Sequence, residues 1–167
     1  MGRKRVLIIE DEQDFAAILK YRLQQKGHET VIAADGESGL DQASRCRPDL
    51  IVLDLMLPKM PGLEVCRSIR GNPAMGHVPI WIMSALDPAS YRVEGFMVGA
   101  DGYFSKTNQL PDLLRRVDEL FDQRDAAAGA AASTTTEFVT SLAEEMLAEL
   151  ANKPWHENRQ FIPLSES

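Results

Sequence analysis

Apolar residues along this chain come in two alternating rhythms. Unbroken runs of four or five residues, Val6-Leu7-Ile8-Ile9, Glu29-Thr30-Val31-Ile32-Ala33, Leu50-Ile51-Val52-Leu53, Ile80-Trp81-Ile82-Met83 and Gly102-Tyr103-Phe104-Ser105, read as short strands. Four of these five carry little or no polar alternation, as expected of strands covered on both faces. Between them apolar residues recur at helical spacing. Phe15, Ile18, Leu19 and Leu23 form a stripe that stops at Gly27. Asp35-Gly36 can cap a helix running to about Cys46, where Pro48 blocks its continuation. A helix from about Gly62 to Asn72 buries Val65, Cys66 and Ile69, and Asp87-Pro88 opens another that runs to about Gly99. The last carries Leu110, Leu113, Leu114, Val117, Leu120 and Phe121 on one face.

Five strands alternating with five helices predict an α/β domain, a doubly wound parallel sheet with helices on both faces. Right-handed crossovers and a central first strand give the order 2-1-3-4-5. Strands one and three then flank the point where the winding reverses, and ligand chemistry belongs in the crevice there. The strand tips supply it. Glu10 and Asp11 end the first run, and Asp54 ends the third and opens the Pro/Gly-punctuated loop Leu55-Met56-Leu57-Pro58-Lys59-Met60-Pro61-Gly62. Ser84 closes the fourth run, and Lys106 follows the fifth.

Those residues, in that order and spacing, resemble the receiver domain of two-component response regulators over residues 3–124. Residues 125–133 read as an Ala-rich linker or helix extension, 134–151 as an amphipathic helix, and 152–167 as an irregular tail.

Three carboxylates in one crevice repel each other unless a cation neutralises them. Hard oxygen ligands completed by water and a phosphoryl group suit Mg²⁺ better than zinc. Glu10, Asp11 and Asp54 are the expected metal ligands, with Asp54 also the nucleophile that becomes an aspartyl phosphate. Lys106 would hold charge on the transferred group. The resemblance implies the backbone carbonyl of Met56 as the remaining protein ligand. It also implies that Ser84 moves toward the new phosphoryl oxygen, that Tyr103 swings inward with it, and that the small Ala85 leaves room for the donor. Met56 and Leu86 occupy positions that tune dephosphorylation; both are apolar, and a long-lived phosphoryl group is expected. The family usually has Pro after the lysine, often with a cis bond. Here Thr107 stands there, which leaves the path of that loop open.

Composition narrows the rest. The 167 residues carry 18 basic and 25 acidic side chains, −7 overall. Residues 126–167 hold two basic and six acidic residues, −4 of that total. No basic face for nucleic acid is visible, and Arg3, Lys4 and Arg5 read as a solvated lead-in to the first strand. Acidity and length leave no room for a DNA-binding output domain in this chain. Cys46 and Cys66 lack metal or disulfide spacing. No 18-residue apolar stretch and no signal peptide is present, so the expected location is cytoplasmic.

In the tail, Thr134-x-x-Glu137 makes a capping box, and Val139, Leu142, Ala143, Met146, Leu147 and Leu150 share one stripe. A helix of about 17 residues is marginal alone in water, so this stripe packs on its own receiver, on a second copy or on a partner. A homodimer through the face formed by the fourth helix, fifth strand and fifth helix is one arrangement the resemblance implies; Arg92, Asp101 and Arg116 are the charges available there. His156-Glu157 shows only a faint likeness to the phosphorylated His-Glu pair of sensor kinases.

The leading reading is a phospho-accepting switch, not an enzyme in its own right, served by a histidine kinase or phosphotransfer protein and acting through protein contacts. The alternative is the regulatory N-terminal part of a longer regulator or enzyme. A phosphohydrolase fits poorly, because Met56 stands where its second catalytic Asp would follow Asp54.

Overall fold

The structure, a computed structural model, describes residues 3–85 and 98–151, with side chains described as far as residue 130. The elements are β1 (Arg5–Ile9), α1 (Gln13–Gln25), β2 (Glu29–Ala33), α2 (Gly36–Cys46), β3 (Leu50–Leu53), α3 (Gly62–Arg70), β4 (Ile80–Ser84), β5 (Gly102–Ser105) and α4 (Leu110–Ala151). The helix expected from Asp87, together with Leu86, Arg92 and the tail from Asn152 with His156-Glu157, lies outside the described residues.

All strand pairings are parallel and the sheet order is β2-β1-β3-β4-β5. The chain divides into two compact units, Met1–Gln123 and Arg124–Ser167. Residues 125–133 are helical, within the span of α4.

The unalternating strands are unalternating because each face of the sheet packs on its own cluster. One holds Leu7, Ile9, Ile51, Leu53, Val65, Ile69, Ile80 and Ile82; the other holds Val6, Ile8, Leu19, Leu23, Val52, Met83, Phe104, Leu113 and Val117. β1, β3 and β4 are therefore apolar at every interior position. The helical stripe predicted for α1 needs a correction. Ile18 is 49% exposed, and the buried face is Ala16, Leu19 and Leu23 with Phe15 half-buried beside them. Ile18 sits about 100° round the helix from Leu19, too far to reach the sheet.

Asp101, one of the charges expected on the self-association face, has partners within its own unit. Its carboxylate accepts from Arg70 Nη2 at 2.5 Å and from the Ile80 N–H at 2.8 Å. The same guanidinium donates to the carbonyls of Gly99, Gly76 and Val78. Asp101 is thus anchored within its own unit, with its side chain still half exposed.

Candidate functional site

Backbone pairing sets the acids at one level. The Glu10 N–H donates to the Ala33 carbonyl at 2.9 Å, and the Asp54 N–H donates to the Ile9 carbonyl at 3.0 Å. Both residues continue a strand by one position, so their carboxylates emerge together at the C-terminal edge of the sheet. Glu10 and Asp54 are buried and Asp11 is exposed. One carboxylate oxygen from each lies within 4.8 Å of the others, which fits a small divalent cation bound by hard oxygen donors.

Lys106 joins them from the far side. Its N–H donates to the Ser84 carbonyl at 3.0 Å, which fixes the lysine at the shared end of β4 and β5. Its ammonium lies 2.7 Å from Glu10 Oε2 and 2.7 Å from Asp54 Oδ2. Burial pulls the Lys106 ammonium down, but the hydrogen bonds to Asp54 and Glu10 outweigh it and leave its pKa raised. Burial also drives Glu10 up to about 7; the Lys106 hydrogen bond opposes that rise and the Asp54 charge adds to it. Three acids around one ammonium leave an excess of negative charge, and a metal ion would supply the missing compensation.

The structure brings Glu10, Asp11, Asp54 and Lys106 into one cluster. Met56 joins through its backbone, whose N–H donates to Asp54 Oδ1 at 3.2 Å, while its side chain is 63% exposed. Ser84 is buried at the tip of β4, in register with Ser105. Tyr103 is two residue pairs back, opposite Ile82, and packs half-buried against the first core cluster. The Lys106–Thr107 bond is trans, as is every peptide bond among the described residues. The turn after it is held by Gln109, whose Oε1 accepts from the Ser105 N–H at 2.7 Å.

The family model described as the response regulator receiver domain matches residues 6–118. This chain belongs to the response regulator receiver family. The receiver is 37% identical over 125 residues to the alkaline phosphatase synthesis transcriptional regulatory protein PhoP of Bacillus subtilis, covering 75% of this chain and 51% of that one. The chain spans about half the length of the curated relatives it matches. Among solved structures, a putative response regulator from Chloroflexus aurantiacus superposes with a TM-score of 0.67 at 30% identity, covering 71% of this chain and 98% of that one. The Mn²⁺-bound form of the response regulator Rcp1 superposes with a TM-score of 0.60 at 25% identity, covering 70% and 91%.

Three contributors to the receiver's site escape a reading of strand tips. Glu12 Oε2 stands 3.8 Å from the Lys106 ammonium, and the Phe15 ring lies 4.9 Å beneath it. Phe15 looks like an ordinary core residue in the helical stripe, and nothing local marks its contact with a lysine some ninety positions away. The third is Gly62. A Cβ built there would lie 2.1 Å from the Asp54 carbonyl oxygen, so the first turn of α3 rests directly on the backbone of Asp54. Its place after Pro61 marked a loop boundary but not that close approach.

Proposed function

We propose that this receiver is a phospho-accepting switch in which Asp54 takes a phosphoryl group from a phosphohistidine on a histidine kinase or phosphotransfer protein. The observation that carries the reading is the convergence on Asp54: an ammonium 2.7 Å from Oδ2, with Glu10 and Asp11 completing an acidic cluster around it. An Asp54 carboxylate oxygen attacks phosphorus, and the bond from phosphorus to the donor imidazole nitrogen breaks. The imidazole keeps the electron pair and takes a proton from solvent. The product is an acyl phosphate.

Glu10, Asp11, Asp54 and the Met56 carbonyl would hold Mg²⁺; the Mn²⁺ bound by Rcp1 supports a divalent ion in this fold. When bound, such an ion offsets the carboxylates and the charge on the phosphoryl oxygens. Lys106, held by Glu10, Asp54 and the Phe15 face, places its ammonium for the oxygen that gains charge as phosphorus is attacked. Ser84 and Tyr103, on the adjacent strands β4 and β5, would carry the switch from the site to the surface, with a change of protein contacts as the output. The receiver would occupy residues 3–124, with 134–151 an output helix whose apolar stripe takes part in those contacts.

Treatment with acetyl phosphate and Mg²⁺ followed by mass spectrometry tests this. One phosphoryl group is expected per chain, lost in Asp54→Asn; label retained in that variant refutes the assignment. The length of the relatives favours a second reading, in which this receiver regulates a longer protein; transcription is the output that the name of the Bacillus subtilis relative gives for that protein.

A further inference from the structure

Between β3 and α3, residues 54–61 form a loop whose two ends are held tightly. At its start the Met56 N–H donates to Asp54 Oδ1, and at its end the Gly62 N–H donates to the Leu55 carbonyl at 3.0 Å. Its tip is Lys59, which has φ +65°, the left-handed region where a Cβ crowds the backbone. Gly or Asn would sit there with less strain. What Lys59 has that glycine lacks is its ammonium, which lies 2.8 Å from Asp35 Oδ2.

Asp35 is the N-cap of α2, and its other oxygen accepts the Ser38 N–H at 2.8 Å. Its side chain is only 14% exposed, so its geometry is set before Lys59 arrives. Next to it, Gly36 lets the loop come down on the helix start: a Cβ there would lie 2.4 Å from the Met60 carbonyl oxygen. The loop tip is therefore seated on α2 by one bare glycine and one ion pair, three residues along from Met56.

We propose that the Asp35–Lys59 pair is a positioning latch. It sets the path of the loop that carries the Met56 backbone, and through that path it sets the affinity of the acidic cluster for a divalent cation. The inference rests on the reading of Glu10, Asp11 and Asp54 as a cation site. Lys59 is a positioning residue: it touches Asp35, not the cluster. Because the lysine is 57% exposed, the pair adds little to global stability and its effect is local.

Mg²⁺ titration calorimetry on the full chain, paired with urea unfolding, tests the latch. Lys59→Met and Lys59→Gly should each weaken Mg²⁺ binding by roughly tenfold, the low end for losing a group that orients a metal ligand. Lys59→Gly removes backbone strain as it removes the ammonium, so its unfolding midpoint should not fall. Weaker binding without lost stability is a signature that mere structural support does not produce. Lys59→Arg should stay near wild type. Asp35→Asn, which can keep the Ser38 cap, should weaken binding, and the double variant with Lys59→Met should be no worse than either single change. Wild-type affinity in Lys59→Gly overturns the latch. If Asp11→Ala also binds Mg²⁺ as wild type does, the cation site itself is what fails; if Asp11→Ala loses binding while Lys59→Gly keeps it, only the latch is wrong.

Discussion

Replacing Gly62 with Ala should damage the site more than a single methyl group suggests. The added Cβ would lie 2.1 Å from the Asp54 carbonyl oxygen, 2.7 Å from the Leu55 Cα and 2.9 Å from the Asp54 carbonyl carbon. Optimal carbon contacts fall at roughly 3.5–4.0 Å, so the closest atom is more than about 1 Å too near. All three obstacles are backbone, and no side chain can rotate away. Either the start of α3 lifts or the Asp54–Leu55 segment moves. Overpacking of this kind costs ~1–3 kcal/mol, and rigid neighbours place it near the upper end. With a urea slope of about 2 kcal/mol per molar, a loss of about 3 kcal/mol lowers the midpoint by roughly 1.5 M. The functional effect should be of similar size, because misplacing a nucleophile by about 1 Å costs on the order of 100-fold in rate. The assay is the rate of acetyl-phosphate labelling beside the urea midpoint. Gly129→Ala is the control: a Cβ there meets nothing within 4 Å, and it lies within a helix. That change should raise stability by up to about 1 kcal/mol and leave labelling unchanged. If Gly62→Ala labels at the wild-type rate with an unchanged midpoint, the close approach of α3 to Asp54 does not position the nucleophile.

Three further outcomes follow from other contacts. Arg70→Met removes the donor to three carbonyls and to Asp101; at about 1 kcal/mol for each bond, urea unfolding should show a loss of roughly 3–4 kcal/mol, and a loss below about 1 would mean that water replaces the guanidinium. His28 is half-buried edge-on against Phe121, neither ring nitrogen has a hydrogen-bond partner among the described residues, and burial lowers its pKa from 6.5. Its folded form binds fewer protons than its unfolded form, so stability is lost as the pH falls below about 6.5 toward the folded value; between pH 8 and pH 5.5 the urea midpoint should drop further in wild type than in His28→Leu, and parallel curves would refute the assignment. Asp11→Ala should weaken Mg²⁺ binding far more than Glu10→Gln, as judged by calorimetry, because the Gln amide oxygen still offers a ligand atom whereas Ala offers none; equal affinities for wild type and Asp11→Ala would place the cation elsewhere.

What could be read from the residues alone was whatever local chemistry decides. Unbroken runs such as Ile8-Ile9 and Ile51-Val52 announce strands buried on both faces, because no alternation is possible when both sides are dry. An acid, hydroxyl or ammonium at the end of such a run must emerge at the sheet edge. Glu10, Asp11, Asp54 and Lys106 were therefore legible as a group, along with the strand order. The face of α1 was not: Phe15, Ile18, Leu19 and Leu23 are compatible with more than one helical stripe, and only docking on the sheet selects Ala16 and Leu19 over Ile18. The specific side-chain partners were not legible either. Lys106 with Glu10, Arg70 with Asp101 and Lys59 with Asp35 join residues 96, 31 and 24 positions apart. Charges of either sign are plentiful in this chain, and which ones meet depends on where the crossovers deliver them. The same holds for Glu10, whose rise to about 7 comes first from burial, a quantity that exists only once β1, β3 and the lysine loop have closed around it.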